Sequence, residues 1–91
     1  MGQTARHIIF SGRVQGVGFR FTVHRLANRY KLTGQVRNVP GGTVEMIAQG
    51  PVEIIDNCIS DIRGTYDDYV RDIKITEIPF NPKFTDFRIT F

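Results

Sequence analysis

Apolar and polar residues alternate along this chain with two periods, one typical of strands and the other of helices. The segment HIIFSG, residues 7–12, has an apolar, β-favouring centre and ends in glycine, so it predicts a short buried strand. Further along, apolar residues recur at the spacing of one helix face, which predicts a helix that packs on a sheet. The apolar stripe of this helix consists of Phe19, Val23, Leu26, Ala27 and Tyr30.

The predicted end of this helix combines basic side chains with a glycine. Arg29 and Lys31 suit the negative pole of a helix. Gly34 is expected to supply the left-handed residue that stops the helix.

Two β-rich segments follow and are joined by a short turn. The segment GQVRNV, residues 34–39, predicts one strand, and TVEMIAQG, residues 43–50, predicts another in which alternate residues are apolar. The intervening PGG, residues 40–42, is typical of a hairpin turn. These segments together predict a β-hairpin.

A second amphipathic helix is predicted between Pro51 and Gly64. Proline is tolerated at the first helical position, so Pro51 is expected to open the helix. The apolar stripe consists of Val52, Ile55, Cys58, Ile59 and Ile62, which makes Cys58 a core thiol.

Two further segments, residues 69–78 and 84–91, alternate as strands on either side of a proline-containing break. The element order is β-α-β-β-α-β, with the segment 84–91 as a last strand at an edge. Two helices covering one face of an antiparallel sheet form the split β-α-β, ferredoxin-like arrangement of the α+β class. We expect a flexible N-terminus over residues 1–5 and a single domain over residues 6–91.

The composition is that of an ordinary soluble globular protein, with 41% hydrophobic and 23% charged residues. The formal charge of +3 favours small anionic ligands but is too small to predict a nucleic-acid partner. Because Cys58 is the only cysteine, no internal disulfide can form, which favours the reducing cytoplasm. No apolar run approaches the roughly 20 residues of a membrane span. We therefore expect a cytoplasmic monomer without a membrane or nucleic-acid partner.

The segment SGRVQGVGFRF, residues 11–21, carries the candidate chemistry. Its glycines, Gly12, Gly16 and Gly18, lie between a predicted strand and a predicted helix, where backbone N–H groups and the helix N-terminus can converge on one anion. The guanidinium of Arg20 offers paired donors that match a phosphate or carboxylate edge. The segment therefore predicts a cradle for an oxyanion.

The glycine spacing fits neither of the common nucleotide-binding motifs. The Lys and the Ser or Thr of a P-loop are missing, and so is the third glycine of a dinucleotide fingerprint. The glycine pattern taken alone fits equally well a tight strand-to-helix turn with a solvent-exposed arginine.

A second motif makes the prediction of an oxyanion site more specific. The segment GRVQGVGFR, residues 12–20, together with the asparagine of VRNVPGGTVEMIAQG, residues 36–50, resembles the acylphosphatase family. The similarity extends from about Arg6 to Phe91 and includes the QGP, residues 49–51, before the second helix. It implies a ferredoxin-like fold and hydrolysis of an acyl phosphate to a carboxylate and inorganic phosphate, without metal or cofactor.

The resemblance also implies roles for individual residues. Arg20 is expected to bind the phosphoryl group together with the amides of the glycine loop, residues 13–19, and Asn38 is expected to position the attacking water. The residues of the glycine loop are Arg13, Val14, Gln15, Gly16, Val17, Gly18 and Phe19. Arg13 fits phosphate capture and a plain surface position equally well.

The chain departs from the family pattern at two places. Some relatives carry a bulky aromatic where this chain has Gly18, so we expect a more mobile loop here. The segment GTYDDYV, residues 64–70, lacks a proline that is often found there.

Other candidate residues have plainer interpretations. His24 projects to the same side of the first helix as Arg20, which predicts a histidine that flanks the site rather than a catalytic one. Phe21 lies opposite the apolar stripe, where it lines the approach of a substrate or is simply exposed. The separated His7 and His24 give little support for a metal site.

Two alternative functions remain open at this point. The same element order also builds non-enzymatic RNA- or anion-binding modules, whose RNA-binding sheets expose aromatic side chains. The motif also occurs in the carbamoyl-phosphate-handling domain of hydrogenase-maturation proteins. The stand-alone enzyme is preferred.

Overall fold

The apolar stripes of two helices meet the inward-facing residues of one five-stranded sheet to form the core. The computed structural model describes residues 2–91. The strands lie in the order β4-β1-β3-β2-β5. The elements are β1 (Thr4–Gly12), α1 (Phe19–Arg29), β2 (Thr33–Asn38), β3 (Val44–Gly50), α2 (Val52–Thr65), β4 (Val70–Ile78) and β5 (Phe87–Ile89).

The predicted α+β, ferredoxin-like arrangement is confirmed, and β5 adds a parallel pair to it. β1 pairs antiparallel with β3 and β4, and β3 pairs antiparallel with β2, whereas β5 runs parallel to β2. The chain leaves β4 at Ile78, which pairs with Ala5 at the end of the sheet where β2 begins. A strand that starts at this end and pairs with β2 must run in the direction of β2.

The first strand begins before the predicted start of the domain. Thr4 pairs with Gly50, and the buried Ala5 pairs with Gln49, so both lie in the sheet although the segment 1–5 was expected to be a flexible N-terminus. Met1 lies outside the described residues.

The end of α1 corrects one prediction. The left-handed residue is Lys31, with a φ of 58°, and the N–H of Leu32 then donates to the carbonyl of Ala27 at 2.9 Å. Gly34 lies within β2 with a φ of 138°, where a Cβ atom would lie 1.9 Å from the carbonyl oxygen of Ile47. Gly34 therefore lets two backbones approach and does not stop the helix.

Both predicted helical stripes face the core. In α1 the stripe is buried except for Tyr30, which is half-buried, and in α2 it is buried except for Val52, which is half-buried. Pro51 precedes α2 as its N-cap. Burial, with a smaller effect of Asp61, raises the pKa of the Cys58 thiol to about 12, as expected for a core thiol. No helix in residues 2–91 has the length and apolarity needed to cross a membrane.

Candidate active site

The glycine loop leaves β1 where the sheet becomes irregular. The pairing register between β1 and β4 shifts between Ser11 and Gly12. Gly12 has a φ of 124°, and a Cβ atom there would lie 2.2 Å from the carbonyl oxygen of Tyr69. Glycine is therefore required for the chain to turn out of the sheet close to the neighbouring backbone.

The loop enters α1 with its amide donors unused. Gly18 is the N-cap of α1 in the left-handed conformation, and its carbonyl accepts from the N–H of Thr22 at 3.2 Å. The N–H groups of residues 14–21 donate no hydrogen bond to any other group of residues 2–91. Free amides at a helix N-terminus create a positive potential that suits an anion.

Arg20 and Asn38 face one cavity of about 220 Å³. Arg20 lies in the first turn of α1, and Asn38 is the last residue of β2. The lining residues are Val14, Gly16, Gly18, Phe19, Arg20, Phe21 and Asn38. The structure thus brings together both residues expected to act in catalysis and four members of the glycine loop.

The guanidinium of Arg20 has free hydrogen-bond donors. It forms no hydrogen bond or salt bridge with any group in the described part of the chain, and its central carbon lies 5.2 Å from the ring centroid of Phe91. No carboxylate is among the residues that line the cavity. The positive charge of Arg20 is therefore available to a ligand.

Asn38 contributes a buried acceptor to the same cavity. Its Oδ1 atom is buried and accepts no hydrogen bond from residues 2–91, while its backbone pairs with Val44 in β3. A buried acceptor without a partner costs about 1–3 kcal/mol in folding free energy, and such atoms are uncommon outside functional sites.

Gln15 ties the glycine loop to the β2–β3 hairpin. Its Nε2 atom donates to the carbonyl of Val39 at 3.0 Å and to that of Thr43 at 2.8 Å. Gln15 is not among the residues that line the cavity. Because Val39 follows Asn38 directly, this contact fixes the loop relative to Asn38.

Arg13 and Val17 also lie outside the cavity, although both belong to the glycine loop. The guanidinium of Arg13 lies over the ring of Tyr69, 5.6 Å from its centroid, and lines a separate surface cavity with Arg71. The carbonyl of Val17 accepts a hydrogen bond of 2.8 Å from the hydroxyl of Tyr66. Sequence reasoning missed Tyr66, since nothing in the local pattern around it indicates a contact with the loop.

His24 and Phe21 differ in their relation to the cavity. The His24 ring lies 3.2 Å from the Asn28 amide nitrogen and does not line the cavity. Phe21 lines the cavity while its side chain remains 71% exposed. Within residues 2–91 no group of three or more His, Cys, Asp or Glu side chains is arranged to hold a metal ion.

The opposite face of the sheet carries an ion-pair cluster. Glu45 accepts from Nε of Arg37 at 2.7 Å and lies 2.8 Å from Nε2 of His7. The hydrogen bond from Arg37 chiefly lowers the pKa of Glu45, and His7 adds to this while burial opposes it. By strand alternation this cluster lies on the face that the helices do not cover.

Comparisons with known proteins agree on one family. A family model described as acylphosphatase matches residues 6–89. An acylphosphatase of Chlorobaculum tepidum is 48% identical over 84 residues, which are 91% of each chain. The crystal structure of an acylphosphatase from Bacillus subtilis superposes with a TM-score of 0.87 at 33% identity, covering 97% of this chain and 99% of that one.

A part of a larger protein has the same fold. The full-length structure of HypF in the phosphate- and nucleotide-bound form matches with a TM-score of 0.87 and 30% identity. The match covers 99% of this chain but only 12% of HypF.

Proposed function

This chain belongs to the acylphosphatase family, and from this membership we propose that it hydrolyses acyl phosphates to a carboxylate and inorganic phosphate. The family model and relatives that match over most of the chain support this activity. The geometry of the cavity supports the following roles for its residues.

The phosphoryl group is held by the glycine loop and Arg20. Four loop residues with unused amides, Val14, Gly16, Gly18 and Phe19, line one cavity together with Arg20, and no carboxylate lines it. Negative charge spreads over the equatorial phosphoryl oxygens as the transition state forms, and donors already in place stabilise this charge without rearranging.

Asn38 orients the attacking water. A side-chain amide can accept a hydrogen bond from a water molecule and donate one to it, which fixes the direction of the oxygen lone pair. The unpartnered Oδ1 of Asn38 beside the cavity is available for this task.

The reaction then needs neither a general acid nor a covalent intermediate. Water attacks phosphorus, the bond between phosphorus and the bridging oxygen breaks, and the carboxylate leaves with that electron pair. One proton of the water passes to a phosphoryl oxygen of the substrate. Because a carboxylate is a good leaving group, positioning and charge stabilisation supply the catalysis. No step requires a metal ion.

The observation that carries the proposal is that the free guanidinium of Arg20, the free loop amides and the buried Oδ1 of Asn38 share one cavity. The test is release of inorganic phosphate from acetyl phosphate and benzoyl phosphate, with and without a chelator. We expect activity that persists in chelator and varies little between pH 5 and 8, since no histidine takes part. Inactivity of the folded chain, or complete loss of activity in chelator, contradicts the proposal.

An RNA-binding role has less support. In the central strands β1 and β3, the residues that face away from the helices include His7, Ile9, Glu45 and Ile47, none of which is Phe, Tyr or Trp. Binding of single-stranded RNA on such a sheet relies on exposed aromatic rings.

A further inference from the structure

The turn between α2 and β4 contacts the glycine loop at two points. The N–H of Arg13, where the loop begins, donates to the carbonyl of Tyr69 at 2.9 Å. Near the other end of the loop, the hydroxyl of Tyr66 donates to the carbonyl of Val17 at 2.8 Å. Both contacts are long-range, so the loop geometry depends on this turn.

The contact of Tyr66 fixes the orientation of one peptide unit. Residues 2–91 contain no cis peptide bond, so the carbonyl of Val17 and the N–H of Gly18 point in opposite directions. Because the carbonyl points at Tyr66, the N–H of Gly18 points away from it. Gly18 lines the cavity, and its N–H makes no hydrogen bond in the described chain.

Tyr66 is itself held in place. Its ring packs edge-on against Phe19 at 5.1 Å and against Tyr69 at 5.5 Å between centroids. The N–H groups of Tyr69 and Val70 both donate to the carbonyl of Tyr66 at 2.9 Å. Its hydroxyl also lies 3.4 Å from the hydroxyl of Thr22 in α1. The hydroxyl therefore connects the loop, the first helix and the turn.

Glycine at position 18 has no side chain of its own to help fix the peptide before it. Gly18 has a φ of 77°, and a Cβ atom there would meet only the Tyr66 hydroxyl, at 3.5 Å. A glycine gives the adjoining backbone a wider range of conformations than any other residue does. The hydrogen bond from Tyr66 supplies a restraint on this peptide from a distant part of the chain.

We propose that Tyr66 is a positioning residue, whose hydroxyl holds the Val17–Gly18 peptide so that the Gly18 N–H is directed at the phosphoryl group. This inference rests on the proposed function. Tyr66 does not touch the phosphoryl group and acts through the peptide alone.

The test compares Tyr66→Phe with Tyr69→Phe as a matched control. Both variants keep the ring and lose one hydroxyl, but the hydroxyl of Tyr69 makes no hydrogen bond within residues 2–91. The probe is inorganic phosphate, whose dissociation constant is measured by the shift of the Gly18 amide resonance in the full chain. KM for benzoyl phosphate and the melting temperature are measured beside it.

We expect Tyr66→Phe to raise both the phosphate dissociation constant and KM roughly three- to tenfold, the range of one lost hydrogen bond. Tyr69→Phe leaves both unchanged. A purely structural role of Tyr66 lowers the melting temperature but leaves phosphate affinity at the wild-type value, and this result overturns the proposal. Equal losses in both variants overturn it as well.

The outcome for the wild-type chain separates this inference from the proposed function. If the wild-type chain hydrolyses benzoyl phosphate and Tyr66→Phe binds phosphate normally, only the proposed role of Tyr66 is contradicted. A wild-type chain that neither hydrolyses acyl phosphates nor binds phosphate contradicts both.

Discussion

Arg20 and Asn38 line one cavity of about 220 Å³, although one lies at the start of α1 and the other at the end of β2. Neither functional group has a hydrogen-bonding partner within residues 2–91. Two polar groups left free at one cavity indicate that their use lies in binding or catalysis rather than in stability.

Replacing Arg20 with alanine is expected to abolish measurable hydrolysis while the fold survives. Loss of one preorganised donor raises the activation barrier by roughly 3–4 kcal/mol. The loss of a charged guanidinium with paired donors is expected to cost an amount at the upper end of this range or above it. Arg20 forms no hydrogen bond or salt bridge within residues 2–91, so the melting temperature changes little. The measurement is kcat/KM for benzoyl phosphate together with thermal unfolding.

The matched control for Arg20 is Arg25→Ala. Arg25 is an exposed arginine of the same helix, and it lines a groove between the helices rather than the candidate site. We expect this variant to keep the wild-type rate. Measurable hydrolysis by Arg20→Ala contradicts the proposed role of Arg20 in holding the phosphoryl group.

Replacing Asn38 with alanine is expected to lower kcat much more than it weakens phosphate binding. In the proposed mechanism Asn38 acts on the water, whereas the loop and Arg20 hold the phosphoryl group. The substitution removes a buried acceptor without a partner, so stability is unchanged or slightly higher. The measurements are kcat, inhibition by inorganic phosphate and the melting temperature.

Thr90→Val is the control for Asn38. The hydroxyl of Thr90 is also buried without a partner within residues 2–91, but Thr90 does not line the cavity. It is expected to affect stability in the same direction and to leave kcat unchanged. Equal losses of turnover and phosphate binding in Asn38→Ala argue against a role in orienting water.

Glu45 is expected to make the free energy of unfolding depend on pH in the acid range. Its pKa is lowered in the folded chain, chiefly by the hydrogen bond from Arg37. The unfolded chain therefore takes up this proton at higher pH than the folded chain does. The contribution is complete above the ordinary carboxyl pKa of about 4.3 and is lost as the pH falls from there through the folded pKa.

The measurement is the melting temperature of the wild-type chain and of Glu45→Gln between pH 7 and pH 3. The wild-type chain is expected to lose more stability on acidification than the variant, which has no carboxyl group to titrate at this position. Identical pH dependence in both proteins contradicts the role of Glu45.

Substitution by alanine is expected to change the stability of the fold in opposite directions at two glycines. Gly34→Ala brings a Cβ atom to 1.9 Å from the carbonyl oxygen of Ile47 at a φ of 138°, and such strain costs at least about 1–3 kcal/mol. Gly64 lies within α2 with no atom within 4 Å of the added Cβ, so Gly64→Ala stabilises by about 0.5–1 kcal/mol. Urea unfolding of both variants measures the difference, and a stable Gly34→Ala contradicts this account.

The elements were predictable because their signals are local. The stripe from Phe19 to Ala27 has the period of a helix, and Val44, Met46 and Ala48 have the period of a strand, so burial on one face follows from spacing alone. Gly34 was misassigned for the opposite reason. Its role depends on the distance to the backbone of β3, which no local pattern contains.

The motif residues of the candidate site were predicted from the sequence, but the residues that hold them in place were not. Arg20 and Asn38 belong to segments that resemble a known family, and the structure brings both to one cavity. Gln15 was grouped with the phosphate-binding residues, yet its side chain bonds the carbonyls of Val39 and Thr43. Tyr66 was not considered at all.

The sequence by itself determined the element order, the buried face of each helix and the residues proposed to carry the chemistry, because periodicity and motif identity are properties of neighbouring residues. Tertiary structure alone decided the direction of β5, the use of Gly34, and which side chains hold the glycine loop. These features depend on distances between segments far apart in the chain, and such distances exist only once the core has packed.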